Sequence, residues 1–286
     1  MSGIAGGDRI LRKDVQPTVD NYERNVLSKF PEYKGYIITG SYNGTDKDDF
    51  GDIDLIVTVS TDLDKKEIKR KFADFLQSLP SNVIMPFPTG RAAGKRTYNS
   101  GEIITALIKQ ANNNLTVQVD NMFSLSLEES DFKKTFLNLP ANVQGLIIGL
   151  VRTAWLEYGN YTLKKLGIPI QPLDENQEYE FVLSSTGLSL RVYTYDENYK
   201  ETNRQEIWRS RNWNDVLKLF PEERYNFEAG FDSVLSKINF NNPRSKGKLQ
   251  GLYTSMITVK SGEVGTDKGK QKELSKKKLE DYLNKK

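Results

Sequence analysis

The feature that most constrains this chain is the stretch 36–59. Tyr36-Ile37-Ile38-Thr39 is an apolar strand ending in Gly40-Ser41, a ten-residue and largely polar loop follows, and a second strand opens as Asp52-Ile53-Asp54-Leu55-Ile56-Val57. Residues two apart on a strand share a face, so Asp52 and Asp54 present their carboxylates side by side while Ile53 and Leu55 turn into a core. Two carboxylates that close raise each other's pKa unless a cation lies between them. Hard oxygen ligands of this kind suit Mg²⁺ or Mn²⁺, which bind one or two protein carboxylates and complete their shell with water and substrate phosphates. A solvated face on an amphipathic strand is the competing reading. A calcium loop starting at Asp46 is excluded, because Phe50 and Val57 occupy positions where an EF-hand needs oxygen ligands.

Absences narrow the chemistry further. The 286 residues contain no cysteine and no histidine, which removes disulfides, thiolate zinc sites, a Ser-His-Asp triad and an imidazole base together. Catalysis has to run on carboxylates, metals, Lys, Tyr, Ser or Thr. With 37% apolar and 28% charged residues the composition is that of a globular protein. The first 14 residues hold no apolar core of export-signal length, and the apolar run 143–156 is broken by Arg152 and falls short of the ~20 residues that cross a bilayer. The expectation is a cytoplasmic protein with no membrane partner.

The stretch 36–59 resembles the signature of the DNA polymerase beta-like nucleotidyltransferase superfamily: an apolar residue, Gly, Gly or Ser, a spacer of about ten residues, then Asp, apolar, Asp or Glu, apolar. Gly40-Ser41 and Asp52-Ile53-Asp54-Leu55 match it position by position. The resemblance covers residues 18–123 and implies a third carboxylate on a later strand. Asp120 in Val117-Gln118-Val119-Asp120 is the candidate, with Asn121 standing where the family carries an apolar residue. It further implies transfer of a nucleoside monophosphate from an NTP to a hydroxyl, with two Mg²⁺ or Mn²⁺ ions. Asp52 and Asp54 would bridge both ions, Asp120 would hold the acceptor-side ion and help deprotonate the hydroxyl, and Gly40 and Ser41 would meet the triphosphate. An RNA or DNA 3′ end is the expected acceptor; a protein hydroxyl and a small-molecule hydroxyl are the alternatives, as is a nucleotide-binding module without catalysis.

The remaining pattern predicts an α/β protein: a flexible start over 1–17, a small mixed-sheet nucleotidyltransferase domain over 18–138, a mainly helical domain with a β-hairpin over 139–242, and a basic linker with a lysine-rich C-terminal helix over 243–286. Helices are expected over 18–30, after residue 62, and over 143–166, 214–220 and 222–238; strands over 35–39, 52–59, 102–108, 115–123, 178–184 and 188–195. Three basic features suggest phosphate or nucleic-acid contacts. The loop Gly90–Thr97 carries Arg91, Lys95 and Arg96 but departs from a Walker motif in spacing. Trp208, Arg209 and Arg211 interleave aromatic and basic side chains. The C-terminal helix carries Lys276, Lys277 and Lys278. Each also reads as ordinary surface or core.

Overall fold

The computed structural model describes residues 6–44, 46–221, 224–259 and 264–285. The chain forms two compact units, Met1–Asn138 and Leu139–Lys286.

The first unit is α/β. In order it contains β1 (Ile10–Leu11), α1 (Arg12–Asn25), β2 (Tyr33–Thr39), the single turn α2 (Ser41–Gly44), β3 (Asp49–Phe50), β4 (Asp52–Val59), α3 (Lys65–Ser78), β5 (Thr97–Ser100), β6 (Ile103–Lys109), β7 (Thr116–Ser124) and α4 (Leu127–Asn138). Five strands make a mixed sheet in the order β2-β4-β7-β6-β5. Only the β4–β7 pair is parallel. Strand alternation sends Ile53, Leu55, Val57 and Val59, with Val117, Val119 and Phe123, to one face, where Val15, Val19 and Tyr22 of α1 and Ile68, Phe72 and Leu76 of α3 cover them. α3 begins at Asp64, whose carboxylate accepts from the Glu67 amide at 2.8 Å in a reciprocal capping box. The opposite face is half covered. There α4 packs over the later residues of β4 and β7, with Thr58 Oγ1 and Ser130 Oγ 2.7 Å apart, and the earlier residues Asp52, Asp54 and Asp120 lie beyond that contact.

Asn121 fits the core face for a stated reason. It is fully buried, accepts from Tyr22 Oη at 3.3 Å and donates through Nδ2 to the Ile104 carbonyl at 3.0 Å. A polar residue in an apolar position is thereby satisfied. The start of the chain differs from the flexible 1–17 expected. From Gly6 onward it is built in: the Asp8 amide donates to the Thr116 carbonyl at 2.8 Å, Ile10 is fully buried, and α1 starts at Arg12 with Pro17 inside it. Leu115, placed in the strand expected over 115–123, is 47% exposed and precedes β7, which begins at Thr116.

The second unit contains α5 (Ala141–Tyr158), α6 (Asn160–Leu166), β8 (Gln177–Ser184), β9 (Gly187–Tyr195), β10 (Glu201–Ser210), α7 (Trp213–Lys218), α8 (Phe231–Ser236), α9 (Pro243–Met256) and α10 (Asp267–Lys285). The single helix expected over 143–166 is broken at Gly159, whose φ of 49° lies in the left-handed region. The hairpin gains a third strand, giving an antiparallel sheet in the order β10-β9-β8. Over 222–238 the helix is reduced to a turn at Phe227–Ala229 and to α8, with residues 222 and 223 outside the described set. The start of the basic tail expected over 243–286 is a core helix. Leu249 and Tyr253 of α9 are fully buried, and α9 lies so close to α5 that a Cβ at Gly145 would stand 2.9 Å from Ile257 Cδ1, while one at Gly149 would strike Leu249. The linker expected within 243–286, over 261–270, lies partly outside the described residues and from Asp267 is already α10. α10 is docked by buried Leu279 and Leu283, and Tyr282 Oη donates to the carbonyls of Ser236 and Ile238 at 2.9 and 3.0 Å.

Candidate active site

The three aspartates are brought to one sheet face by register. In the parallel pairing of β4 with β7, Asp54 stands beside Asp120 and Asp52 beside Gln118. On the far side of Asp120, β6 places Thr105 opposite it, and Thr105 Oγ1 donates to Asp120 Oδ1 at 2.6 Å. That bond fixes the carboxylate and leaves Oδ2 for another partner. Sequence reading missed Thr105, although it is the lone polar residue in the run Ile103–Ile108 and therefore had a signal.

Gly40 has a use beyond the one expected of it. Its φ is 73°, and a Cβ there would lie 3.0 Å from Asp54 Cγ and overlap Oδ2. The missing side chain is the space in which Asp54 sits. Gly40→Ala is expected to lower kcat/KM of any reaction run at these carboxylates by about 100-fold, because both the φ strain and the displaced carboxylate act on reacting geometry. Steady-state kinetics beside a melting curve check this; an alanine variant of full activity would mean that Asp54 can step aside.

The spacer between Gly40 and Asp52 is strapped by the start of the chain. Ile10 and Leu11 pair with Phe50 and Asp49, and the Arg12 amide donates to the Asp48 carbonyl at 2.7 Å. The Arg12 guanidinium donates to the carbonyls of Lys47 and Tyr42 at 2.8 and 2.9 Å and packs over the rings of Tyr42 and Phe50. Arg9 chelates Asp49 at 2.5 and 2.7 Å, which holds that carboxyl below its ordinary range. Nothing in the sequence pairs these segments.

Electrostatically the carboxylates form one system. Asp54 is pushed up to about 8, first by desolvation and then by the charges of Asp52 and Asp120. Asp120 is pushed up to about 6 by desolvation and by Asp52, against the lowering effect of the Thr105 hydrogen bond. Among the described residues no group of three or more ligating side chains is already drawn together as a metal centre. The donor set nevertheless fits a hard divalent cation: oxygen-only ligands, Asp52 and Asp54 half-buried and Asp120 buried, carrying excess negative charge that no described lysine or arginine neutralises by an ion pair to Asp52, Asp54 or Asp120.

The other candidates separate. Ser41 opens α2 directly after Gly40. Phe87 and Ala92 pack the loop 81–96 onto Leu107 of β6, two residues from Thr105 and so on the carboxylate face, and this loop exposes Arg91 and Lys95. Arg96 is a correction. Its Nη1 donates to the carbonyls of Gln77, at 2.9 Å, and Leu79, so it closes the end of α3 on the opposite face, away from the carboxylates. Trp208 and Arg209 lie on β10, facing opposite sides; Arg209 is bidentate to Glu206 at 2.8 and 2.9 Å, and Arg211 follows the strand half-buried. Lys278 pairs with Asp232 at 2.8 Å, Lys276 is half-buried and Lys277 is exposed. These five basic residues and Trp208 belong to the second unit. No helix among the described residues is long and apolar enough to cross a membrane.

No protein-family model matches the chain, and no curated protein matches it. Solved structures do. One of the Cid1 poly(U) polymerase with MgGTP bound is 13% identical, with a TM-score of 0.31 over 73% of this chain and 65% of that one. Another of the same polymerase with Mg 3′-dATP bound is 12% identical, with a TM-score of 0.33 over 96% and 86%. A cytoplasmic RNA terminal U-transferase is 13% identical, with a TM-score of 0.32 over 82% and 74%. The chain thus spans just under two thirds of the first of these structures. At such identities and TM-scores the likeness carries no argument about activity, which rests on the residues themselves.

Proposed function

We propose that this protein is a metal-dependent nucleotidyltransferase that moves a nucleoside monophosphate from an NTP to a hydroxyl, with a nucleic-acid 3′ end as the acceptor and pyrophosphate as the second product. The observation that carries the reading is the side-by-side placement of Asp54 and Asp120 on a parallel strand pair, with Gly40 making room for the first and Thr105 orienting the second. Mg²⁺ or Mn²⁺ held by Asp52, Asp54 and Asp120 would supply the positive charge that an in-line displacement at a triphosphate requires.

The chain's own groups do the rest. Asp120, with Oδ1 engaged by Thr105 and its proton affinity raised by burial, offers Oδ2 to the acceptor hydroxyl's proton at near-neutral pH. Ser41 and the amides that follow Gly40 face the phosphates from a loop that Arg12 holds at two carbonyls. Arg91 and Lys95, on the carboxylate face, supply the cations a polyanionic substrate needs, and they support the choice of nucleic acid.

The test is incubation with each labelled NTP and Mg²⁺ or Mn²⁺, with and without a mixed RNA pool, beside an Asp52→Ala, Asp54→Ala variant. Extended RNA that disappears with the variant is the expected result. Label on protein instead would replace the acceptor, and NTP binding that needs metal but never yields transfer would replace the enzyme with a nucleotide-binding module.

A further inference from the structure

On the other face of the first unit's sheet, α3 and the β5–β6 turn enclose an open groove of about 470 Å³. Its lining includes Lys65, Lys66, Lys69 and Arg70, with Asp74 and Glu102 as the acids. Five of the seven residues from Lys65 to Lys71 are cationic. This placement works against the helix. Lys65 and Lys66 stand in the first turn, where the helix dipole favours acids, and the pairs Lys65/Lys69 and Lys66/Arg70 set like charges one turn apart. The capping box at Asp64 offsets part of that cost.

Two of the cations are fixed and two are not. Lys65 is paired with the fully buried Glu129, beside buried Lys133, and Lys69 donates to the Gly101 carbonyl, tying the helix to the turn that forms the other wall. Lys66 and Arg70 make no ion pair or hydrogen bond with any described residue. They are four residues apart on a helix, about 6 Å along its axis, a repeat of the same order as that of successive phosphates in a nucleic-acid strand. A rigid pair of walls with two uncommitted cations in line is the arrangement that neutralises a chain of phosphates while remaining indifferent to base identity.

We propose that this groove binds the phosphodiester backbone of a nucleic-acid strand at a site separate from the carboxylates. The occupant is a strand and not a free nucleotide, because the two uncommitted cations are spaced along one helix and do not converge on a single point. Binding here tethers a long strand without reaching the reacting atoms, so it raises affinity for long strands and leaves short ones alone. The inference stands apart from the transfer reading, since it concerns binding only.

The experiment uses the full chain and fluorescence anisotropy of a labelled single-stranded RNA across a salt titration. The Lys66→Glu, Arg70→Glu variant, which changes two exposed side chains and so is not expected to unfold, should lose roughly tenfold in affinity and more than one unit in the slope of log K against log salt. Binding of Mg²⁺–NTP should be unchanged. A control reversal at exposed Lys29 and Lys34 should leave RNA binding within about twofold. Equal affinity and slope in the groove variant, or an equal loss in the control, overturns the proposal. So does displacement of the RNA by inorganic tripolyphosphate or by a polyglutamate peptide at the same charge concentration, which would assign the groove to a small anion or to an acidic protein. Loss of transfer in the Asp52→Ala, Asp54→Ala variant judges the active site independently of these outcomes.

Discussion

Asp54→Asn is expected to abolish nucleotide transfer and yet to stabilise the metal-free fold. The two effects have one cause. Asp54 is raised from 3.8 to about 8 by burial and by Asp52 and Asp120. A carboxyl whose folded pKa lies above its unfolded value contributes stability that is fully present below about pH 4 and is lost as pH rises through about 8. Asp120, raised to about 6, adds a loss of the same sign lower in the range. Above about pH 8 the wild-type fold therefore carries ionised, crowded carboxylates, and asparagine removes a penalty on the order of 2 kcal/mol. In a chelator, wild-type melting temperature should fall between about pH 5 and pH 9 and recover on adding Mg²⁺, while the variant's curve is flatter and higher by several degrees. The proposed transfer should drop about 10³-fold or more in the variant, since a carboxylate that would hold the divalent cation is lost. A wild-type melting temperature indifferent to both pH and Mg²⁺ would sink this account of the site.

Deleting residues 243–286 is expected to unfold the second unit, a larger effect than the loss of a basic tail. Leu249, Tyr253, Ile257, Leu279 and Leu283 are all buried. At about 1.5–3 kcal/mol each, their removal costs on the order of 10 kcal/mol, comparable to the whole stability of a domain. It also opens the groove along α5 that Gly145 and Gly149 create for α9. Limited proteolysis is the direct measurement: cleavage in the truncated chain should concentrate between residues 139 and 242 while the first unit persists. A truncated chain with an unaltered thermal transition would contradict the packing. Charge at the C-terminus is better probed by Lys276→Gln and Lys277→Gln, which leave Leu279 and Leu283 in place.

What could be read from sequence follows physical periodicity. β4 was legible to the residue because alternate positions are apolar and its two aspartates share a face. The carboxylate on β7 was legible because Asp120 lies on the face opposite Val117 and Val119, which are buried. Gly40 and Ser41 were singled out by their spacing from Asp52, but not the reason that a glycine stands at 40, which depends on where Asp54 points. Elements held by distant contacts were not legible. α9 is glycine-spotted and polar, with Leu249 and Tyr253 as its core signal. β10 is an edge strand whose charged residues face solvent, so no alternation marks it. Arg96 gave the same signal as Arg91, and only the ends of α3 decide between capping a helix and meeting a ligand. The strap by Arg12 joins segments more than 30 residues apart, and no local pattern encodes such a pairing.

The parallel pairing of β4 with β7 also sets an order of events. Asp52 and Asp54 are joined to Asp120 only when strands separated by α3 and the β5–β6 hairpin meet, and closing so long a loop comes after local structure has formed. The complete carboxylate set is thus a late product of folding. A cation bound there stabilises the native state more than the transition state, so it acts on the lifetime of the folded protein by slowing unfolding, and leaves the rate of folding nearly alone.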